Sequence, residues 1–308
     1  MSASLSQRSQ SDQVDAVPLA VVLNPHAGRG LAMRTWPLLE RALRTRRLAF
    51  DVILAHDPSA ALARVHELPA SQPLLAVGGD GTVSALLPAL VGTGRPLGIV
   101  PLGSGNDFAG MLGLKSGDFE GALARLSSPP RPFDAVRVKT PLGSRVLVNG
   151  LGMGFDARIT AKMSDAPAWL NGFGRYAWSA LNGVKDLRAP DVEVVVDGDV
   201  TYAGPCTLVA VMNGTRYGGG FRISPDSDPS DGCLDVVLGK GVTRGQLLRL
   251  MGMVLRGAHL DDPRVRCWKG KDVRLRWQTP THAHLDGDVI GEVTDLRACV
   301  EAGALQIY

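Results

Sequence analysis

The segment from Leu74 to Ser84 carries the residues best suited to chemistry in this chain. A short apolar run that reads as a buried strand ends in Gly78-Gly79-Asp80-Gly81-Thr82, and a helical pattern follows from Val83. Glycines at a strand-to-helix junction let the backbone approach a bulky anion, and the first amides of the helix point at it. Because the Asp80 carboxylate would repel a phosphate unless a metal or a transferable proton lay between them, the pattern predicts phosphoryl chemistry. A tight turn capped by an aspartate is the alternative.

Two further glycine loops follow predicted strands in the same half of the chain. The apolar run from Pro18 to Leu23 leads into Asn24-Pro25-His26-Ala27-Gly28. The run from Leu97 to Val100 leads into Pro101 to Ala109, which contains Gly103-Ser104-Gly105. Because open α/β sheets bind ligands beyond the carboxyl ends of their strands, the three loops should meet at one edge of the sheet. Together they predict a nucleotide phosphate site.

The hydrophobic pattern changes at Pro129-Pro130-Arg131-Pro132. Before this point strand and helix patterns alternate, which predicts an α/β domain over residues 17–132 with a largely parallel sheet. After it, short β-branched runs separated by turn residues predict an all-β sandwich or barrel over residues 133–303. Two helical patterns, at 174–187 and 244–256, interrupt this second domain.

Composition excludes several classes of protein. At 308 residues the chain is long enough for two domains, and its net charge of +3 is too small to indicate a nucleic-acid partner. Four dispersed cysteines argue against a zinc or disulfide framework and indicate a reducing cytoplasm. The polar first sixteen residues predict a disordered tail rather than a signal peptide, and no run of about eighteen apolar residues could span a membrane. The sequence leaves a homodimer open.

One stretch of the chain is unevenly charged. Residues 240–276 contain ten Lys or Arg and three Asp. A solvated basic face accounts for this excess, and the functional alternative is attraction to the anionic inner face of a membrane. The apolar residues at helical spacing beside these charges would add a shallow contact to the second interpretation. They are Leu247, Leu248, Met251 and Leu255.

Five motifs occur along the chain in a characteristic order. They are Asn24 to Gly28, Gly78 to Thr82, Pro101 to Ala109, Asn149 to Ala157, and a last group of Gly218 to Gly220, Pro225 and Asp231 to Val236. In this order they closely resemble the diacylglycerol kinase catalytic-domain superfamily, which includes bacterial soluble lipid kinases and sphingosine kinases. Three positions depart from the family pattern: Ala27 stands for a serine, Ser104 for a threonine and Asp288 for a glutamate. The hydroxyl lost at Ala27 is worth about 1 kcal/mol, which would weaken phosphate binding without abolishing it.

The resemblance implies an N-terminal α/β nucleotide domain and a C-terminal β-sandwich, with the active site between them and the last strand, residues 304–308, returning to the first domain. It implies an ATP- and Mg²⁺-dependent lipid kinase that transfers the γ-phosphoryl group to a lipid hydroxyl such as that of diacylglycerol. Asp288, supported by Asp286, would take the proton from the lipid alcohol, and Asp80 would organise catalytic Mg²⁺ or assist the proton transfer. The residues expected to bind ATP are Asn24, Pro25, His26, Ala27, Gly28, Gly78, Gly79, Asp80, Gly81, Thr82, Val83, Ser84 and Ser104.

By the same resemblance, a structural Mg²⁺ would order the loop around Asp231. Its ligands would be the Asp231 carboxylate and the backbone carbonyls of Asp228 and Cys233, which are hard oxygen donors of the kind that Mg²⁺ prefers. An ordinary acidic turn is the alternative. His282 and His284 alternate on a predicted strand and so share a face, but no third zinc ligand accompanies them.

Two other functions stay open. NAD kinases share the Gly-Gly-Asp-Gly-Thr signature and a similar two-domain plan, although the Asn106-Asp107-Phe108 loop and the Asp231-Gly232 loop favour the lipid class. The second alternative is a catalytically silent regulator that binds a nucleotide or a lipid. The shortened side chain at Asp288 supports this alternative, and the retained Asp80 and Asp231 oppose it.

Overall fold

The computed structural model describes residues 17–167, 169–170 and 172–308; the tail predicted over residues 1–16 lies outside them. Strands and helices alternate in the N-terminal domain. The strands are β1 (Leu19–Leu23), β2 (Phe50–Leu54), β3 (Leu74–Gly78) and β4 (Pro96–Pro101). The helices are α1 (Ala27–Thr45), α2 (Pro58–Glu67), α3 (Asp80–Leu86), α4 (Asp107–Met111) and α5 (Phe119–Arg125).

These four strands form a parallel sheet in the order β4-β3-β1-β2. Every residue of β1 and β3 is buried, which is the continuous apolar pattern of a sheet covered on both faces. Because the strands are parallel, the glycine loops that follow β1, β3 and β4 all lie at the same edge. The parallel sheet thus brings together three loops that are far apart in the sequence.

The C-terminal domain is built mainly from antiparallel strands. They are β5 (Arg131–Thr140), β6 (Gly143–Leu147), β7 (Gly150–Gly154), β8 (Asp191–Val196), β9 (Asp199–Met212), β10 (Leu234–Lys240), β11 (Val265–Gly270), β12 (Asp272–Leu285) and β13 (Asp288–Ile307). The helices are α6 (Phe155–Ala161), α7 (Gly172–Gly183) and α8 (Arg244–Val254). The start of α8 is fixed by a capping box between Thr243 and Gln246.

The long strands β9 and β12 each pair with both β8 and β7. Their first segments pair with β8, and their later segments pair with β7. Alternate residues of β8, beginning with Val192, point into an apolar core that is separate from the core of the N-terminal domain. A third apolar cluster packs α6, α7 and α8 against β9 and β10.

Strand β13 links the two domains. Most of its length pairs antiparallel with β12 and β5, but Gln306 and Ile307 pair in parallel with Pro96 and Leu97 of β4. The parallel sheet therefore continues into the C-terminal domain through the last residues of the chain. Within the described part of the chain, no helix is both long and apolar enough to cross a bilayer.

Two elements beside the domain junction were not predicted from the sequence. Strand β7 contains three glycines in five residues, and glycine has little preference for strands, so its pattern is weak. Helix α6 follows directly and is only seven residues long. Both are held by their tertiary contacts, and both border the site described next.

Candidate active site

The three glycine loops touch one another at the edge of the parallel sheet. Gly79 lies so close to Gly103 that a Cβ atom at position 79 would come within 2.7 Å of the Gly103 Cα. Gly28 has a φ of +57°, and a Cβ there would come within 2.3 Å of the Leu102 carbonyl oxygen. The Asn24 amide donates a hydrogen bond of 3.1 Å to the Thr82 hydroxyl, which ties the first loop to the second. Glycine is therefore required here for loop packing as well as for access to an anion.

A cleft of about 1270 Å³ lies over these loops. All but three of the residues predicted to bind ATP line it, and four arginines stand around it: Arg29, Arg137, Arg145 and Arg175. Arg137 forms an ion pair with Glu301. Exposed backbone amides and guanidinium groups are suited to a polyphosphate.

Three residues predicted to bind ATP do not line the cleft. Pro25 and Gly78 are buried within the loops, and a Cβ at Gly78 would collide with the Thr82 hydroxyl. Val83 is buried and faces a second cavity instead. For these three, the sequence motif is explained by packing rather than by contact with a ligand.

The second cavity, of about 210 Å³, lies between the glycine loops and the C-terminal domain. We call it the acceptor cavity. Asp80, Ser104, Gly105 and Met163 line both the cleft and this cavity. The two spaces therefore share a wall. Among the described residues, Asp80 is the only carboxylate that lines both of them.

Three carboxylates line the acceptor cavity. Burial raises the pKa of Asp286 to about 6, although backbone N–H groups of Val148, Asn149 and Gly150 donate to it and oppose the rise. Burial, and then the nearby Asp80 carboxylate, raise the pKa of Asp107 to about 6 as well. Asp80 accepts hydrogen bonds from the backbone N–H groups of Asp107 and Phe108, which fix its direction.

Asp288, the predicted base, occupies a different position from Asp286. It is exposed at the start of β13 and lines the nucleotide cleft, whereas Asp286 lines the acceptor cavity. Three backbone hydrogen bonds hold Asp286, so the turn that leads to Asp288 is anchored at one end. Asp286 has a φ of +47°, a left-handed conformation that this anchoring stabilises.

A lysine side chain from β11 already pairs with the loop that was predicted to bind a structural Mg²⁺. Lys269 Nζ lies 2.5 Å from one carboxylate oxygen of Asp231, and the other oxygen accepts a hydrogen bond from the Cys233 N–H. The Asp228 carboxylate accepts bonds from Ser230. As they stand, these residues do not fit a metal, because an ion would have to displace the lysine. Among the described residues, no group of three or more His, Cys, Asp or Glu side chains is arranged to hold one.

The two histidines on β12 have separate environments. His282 is partly exposed, with Nδ1 3.0 Å from Glu292. His284 is buried, with Nε2 3.4 Å from the carboxylate of Asp156. A shared zinc site is therefore not formed among the described residues.

Sequence reasoning missed four residues of the site. Asp107 and Asp156 were named only as members of motifs, His284 only as one of two histidines on a strand, and Tyr217 was assigned no role. Nothing in their local spacing distinguishes them, because each comes from a different segment and they meet only in the folded protein. The one available signal was glycine at position 152, whose lack of a side chain makes room for Asp156 and His284.

The basic stretch over residues 240–276 is partly neutralised. Four of its ten basic residues form ion pairs, namely Arg264 with Asp262, Lys269 with Asp231, Arg274 with Asp295, and Arg276 with Glu193. On α8, Leu247 is buried, Met251 is half-buried and Leu248 is exposed, and Leu255, just after the helix, is exposed as well. The predicted apolar contact is thus reduced to the outer face of this helix.

The fold and its match to two family models define the class as a two-domain kinase. Residues 18–138 match the model of the diacylglycerol kinase catalytic domain, and residues 149–308 match the YegS C-terminal NAD kinase beta sandwich-like domain. The chain belongs to this family of diacylglycerol kinase-type proteins. Membership of a kinase family implies a phosphotransferase that uses ATP.

Curated relatives agree with this assignment. A diacylglycerol kinase of Mycobacterium tuberculosis is 30% identical over 293 residues, covering 94% of this chain and 92% of the relative. A protein of Chromohalobacter salexigens named as a probable YegS-like lipid kinase is 35% identical over 242 residues, covering 74% of this chain and 68% of the relative.

Solved structures share the fold at lower identity. A diacylglycerol kinase from Bacillus anthracis superimposes with a TM-score of 0.68 at 18% identity, covering 94% of this chain and 96% of the other. An NAD kinase from Archaeoglobus fulgidus in complex with ATP gives a TM-score of 0.55 at 15% identity, covering 94% and 92%. The two-domain architecture is common to both kinds of kinase.

Proposed function

We propose that this protein is an ATP-dependent lipid kinase that transfers the γ-phosphoryl group of ATP to the hydroxyl of a lipid alcohol, with diacylglycerol as the acceptor. The observation that carries the proposal is the wall shared by the cleft and the acceptor cavity, formed by Asp80, Ser104, Gly105 and Met163. A phosphoryl group held in the cleft and a hydroxyl held in the cavity would meet beside Asp80. The names of the curated relatives support the choice of a lipid acceptor.

The cleft would bind ATP through its backbone and its arginines. Phosphate oxygens would face the backbone of the glycine loops, where Gly79, Gly81 and Gly105 carry no side chain. The guanidinium groups around the cleft, among them Arg29 and Arg145, would neutralise part of the phosphate charge. Both contributions position the phosphoryl donor before the acceptor arrives.

The cleft also fits a Mg²⁺ ion that enters with the nucleotide. Mg²⁺ is usually held by one or two carboxylates together with phosphate oxygens, and Asp80 presents a carboxylate on the shared wall. When bound, the ion would offset the negative charge of the phosphoryl group. The loop around Asp231 is a different case: since Lys269 already pairs with Asp231, the melting temperature should be nearly unchanged by Mg²⁺ or a chelator.

Proton removal from the acceptor hydroxyl needs a carboxylate within about 3 Å in the reactive complex. We propose Asp288 for this role, with Asp286 anchoring the turn from which it projects. Asp286 itself lines the acceptor cavity and Asp80 lies on the shared wall. These two are therefore the residues that would replace Asp288 if the assignment fails.

The charge of the acceptor cavity favours a lipid alcohol over NAD. Asp80, Asp107 and Asp286 line the cavity, and no Lys or Arg is among the described residues that do so. Carboxylates in a partly buried cavity repel the diphosphate of NAD more strongly than they would in water. A neutral alcohol brings no such penalty.

The exposed face of α8 is our candidate for contact with a membrane. Leu248 and Leu255 are exposed next to Arg249 and Arg256, an arrangement that suits shallow binding to anionic lipid. We expect Arg249→Glu and Arg256→Glu to weaken co-sedimentation with anionic vesicles. The control is Arg41→Glu, the same charge change on exposed α1. Equal loss in all three variants, or equal binding to neutral vesicles, would exclude this face.

Incubation with γ-labelled ATP and Mg²⁺ tests the proposed function. The acceptor panel contains diacylglycerol, sphingoid base, ceramide, NAD and no acceptor. We expect label in phosphorylated diacylglycerol and none in NADP. Label in NADP would identify an NAD kinase, and label in no product despite ATP binding would identify a silent regulator.

A further inference from the structure

A further cavity, of about 430 Å³, lies in the C-terminal domain. None of its described lining residues also lines the nucleotide cleft or the acceptor cavity. Helix α6 separates it from the acceptor cavity. Arg158 and Lys162, one helical turn apart, line the new cavity, whereas Thr160 between them lines the acceptor cavity. We call the new space the α6 cavity, and it is distinct from the candidate active site.

Permanent cations outnumber carboxylates in the wall of the α6 cavity. The cations are Arg158, Lys162 and Arg188, and the carboxylates are Asp186 and Glu292. Both carboxylates already have a basic partner in the same wall. Asp186 lies 3.2 Å from Lys162 Nζ, and Glu292 lies 3.0 Å from Nδ1 of His282. The charges that remain are those of the two arginines.

Arg158 and Arg188 form no ion pair with any carboxylate of the described residues. Arg158 is half-buried, and its Cζ lies 5.7 Å from the centroid of the Phe155 ring. A guanidinium keeps its charge throughout the physiological pH range. A cation that is partly removed from water without a counter-charge raises the free energy of the fold, and a bound anion would offset this cost.

The three cations act on the same small region. The hydrogen bond and charge of Lys162, and then the charges of Arg158 and Arg188, lower the pKa of Asp186. Burial is the largest cause that lowers the pKa of Arg158, and the charge of Arg188 lowers it further. The two guanidinium groups are therefore close enough to repel each other, and an anion shared between them would relieve this repulsion.

The two unpaired charges match a phosphate monoester better than a singly charged anion. A phosphate monoester carries a charge of about −1.5 to −2 at pH 7 and has three strong acceptor oxygens. Guanidinium groups bind such oxygens through paired, charge-assisted hydrogen bonds. A phosphodiester or a carboxylate carries one negative charge and would leave one arginine without compensation.

We propose that the α6 cavity is a second anion site, in which Arg158 and Arg188 bind a phosphate monoester group. The group can belong to a soluble phosphate compound or to the headgroup of a phosphorylated lipid, because both present the same charge and the same oxygens. Arg188 and Lys162 are exposed, so the site is accessible from solvent. The proposal does not depend on the lipid kinase function, since it uses neither the cleft nor the acceptor cavity.

Isothermal titration calorimetry tests the site. The nucleotide cleft is first saturated with a non-hydrolysable ATP analogue and Mg²⁺, so that the probes cannot bind there. The probes are inorganic phosphate, dihexanoyl phosphatidic acid and dihexanoyl phosphatidylglycerol, the last of which is a singly charged diester. We expect the first two to bind, and the tighter of them identifies the source of the phosphate group. Phosphatidylglycerol should bind about tenfold more weakly than phosphatidic acid, since it cannot compensate both arginines.

Three variants give opposite signs. Arg158→Gln and Arg188→Gln should each weaken binding of both phosphate monoester probes by about tenfold or more, the size of a hydrogen bond to a charged group. Asp186→Asn should strengthen it by about two- to fivefold, because it frees Lys162 from an exposed ion pair. Arg41→Gln, which is exposed on α1 and outside the cavity, is the matched control and should bind like the wild type.

Three results would overturn the α6 cavity as a phosphate site. The first is a wild type that binds neither phosphate monoester probe while its cleft is filled. The second is unchanged binding in both glutamine variants. The third is weaker binding in Asp186→Asn. Because Arg188 is exposed, Arg188→Gln should fold, and it keeps the test decisive if Arg158→Gln does not. Equal affinity for phosphatidic acid and phosphatidylglycerol would contradict the assignment to a monoester.

Discussion

The nucleotide cleft and the acceptor cavity share a wall but are built in different ways. The cleft is formed by backbone loops that follow three parallel strands, with arginines around it. The cavity is formed by side chains from distant segments and is lined by carboxylates. Phosphate recognition here depends on glycine and on the direction of amides, whereas acceptor recognition depends on tertiary packing. The first can be conserved as a short motif, and the second cannot.

The largest effect should come from changing the residue that both spaces share. Asp80→Asn keeps the shape and removes the charge, so we expect turnover to fall by about 10³-fold with little change in the affinity for ATP measured without Mg²⁺. Steady-state transfer and equilibrium binding of ATP measure the two quantities. A variant that loses ATP binding but retains turnover at saturation would assign Asp80 to the cleft alone.

A smaller loss is expected at Asp288, which belongs to the cleft side. Asp288→Asn should lower turnover by about 10²-fold or more with ATP binding preserved, since the substitution removes a base but not a phosphate contact. Asp288→Glu, which restores the family side chain, should be tolerated and is the matched control. Near-wild-type turnover in Asp288→Asn would transfer the role to Asp286 or Asp80.

Alanine substitutions at Gly79 and Gly81 test which glycine of the sequence motif is needed for the packing of the loops. A Cβ at Gly79 meets the backbone of Gly103, so Gly79→Ala should lower the free energy of unfolding by about 1–3 kcal/mol. At Gly81 there is nothing within 4 Å of the added atom, and Gly81→Ala in the first turn of α3 should leave stability unchanged or slightly raised. Denaturant titration of both variants compares them. If both variants lost a similar amount of unfolding free energy, the loops would not pack as described.

The smallest effect concerns the pH dependence of the acceptor cavity. The folded-state pKa of Asp286 is about 6, against an ordinary value of 3.8, so the folded protein holds a proton between about pH 4 and 6 that the unfolded chain has released. This contribution to the free energy of unfolding therefore falls as the pH rises through that window. In the presence of a chelator, the free energy of unfolding of Asp286→Asn should rise relative to that of the wild type as the pH increases from 4 to 6. Asp199→Asn, at the exposed start of β9, is the control, and parallel profiles for all three proteins would contradict the raised pKa.

The same contrast explains what could be predicted from the sequence. Gly79, Asp80 and Thr82 are adjacent in the chain, and the alternation of strands and helices was enough to place their loop at the edge of a parallel sheet. Asp107, Tyr217 and His284 come from separate segments, and only the fold brings them around one cavity. The pairing of Lys269 with Asp231 was not predicted for the same reason: it depends on the register between β10 and β11, which composition does not specify.

A structure of the protein with a non-hydrolysable ATP analogue, Mg²⁺ and a short-chain diacylglycerol would test most directly whether the two spaces form one reaction site. We expect the triphosphate in the cleft and the glycerol hydroxyl in the acceptor cavity, with the hydroxyl oxygen about 3–3.5 Å from the γ-phosphorus beside Asp80. A lipid hydroxyl bound away from Asp80, or a nucleotide whose base rather than its phosphates faces the shared wall, would contradict this arrangement.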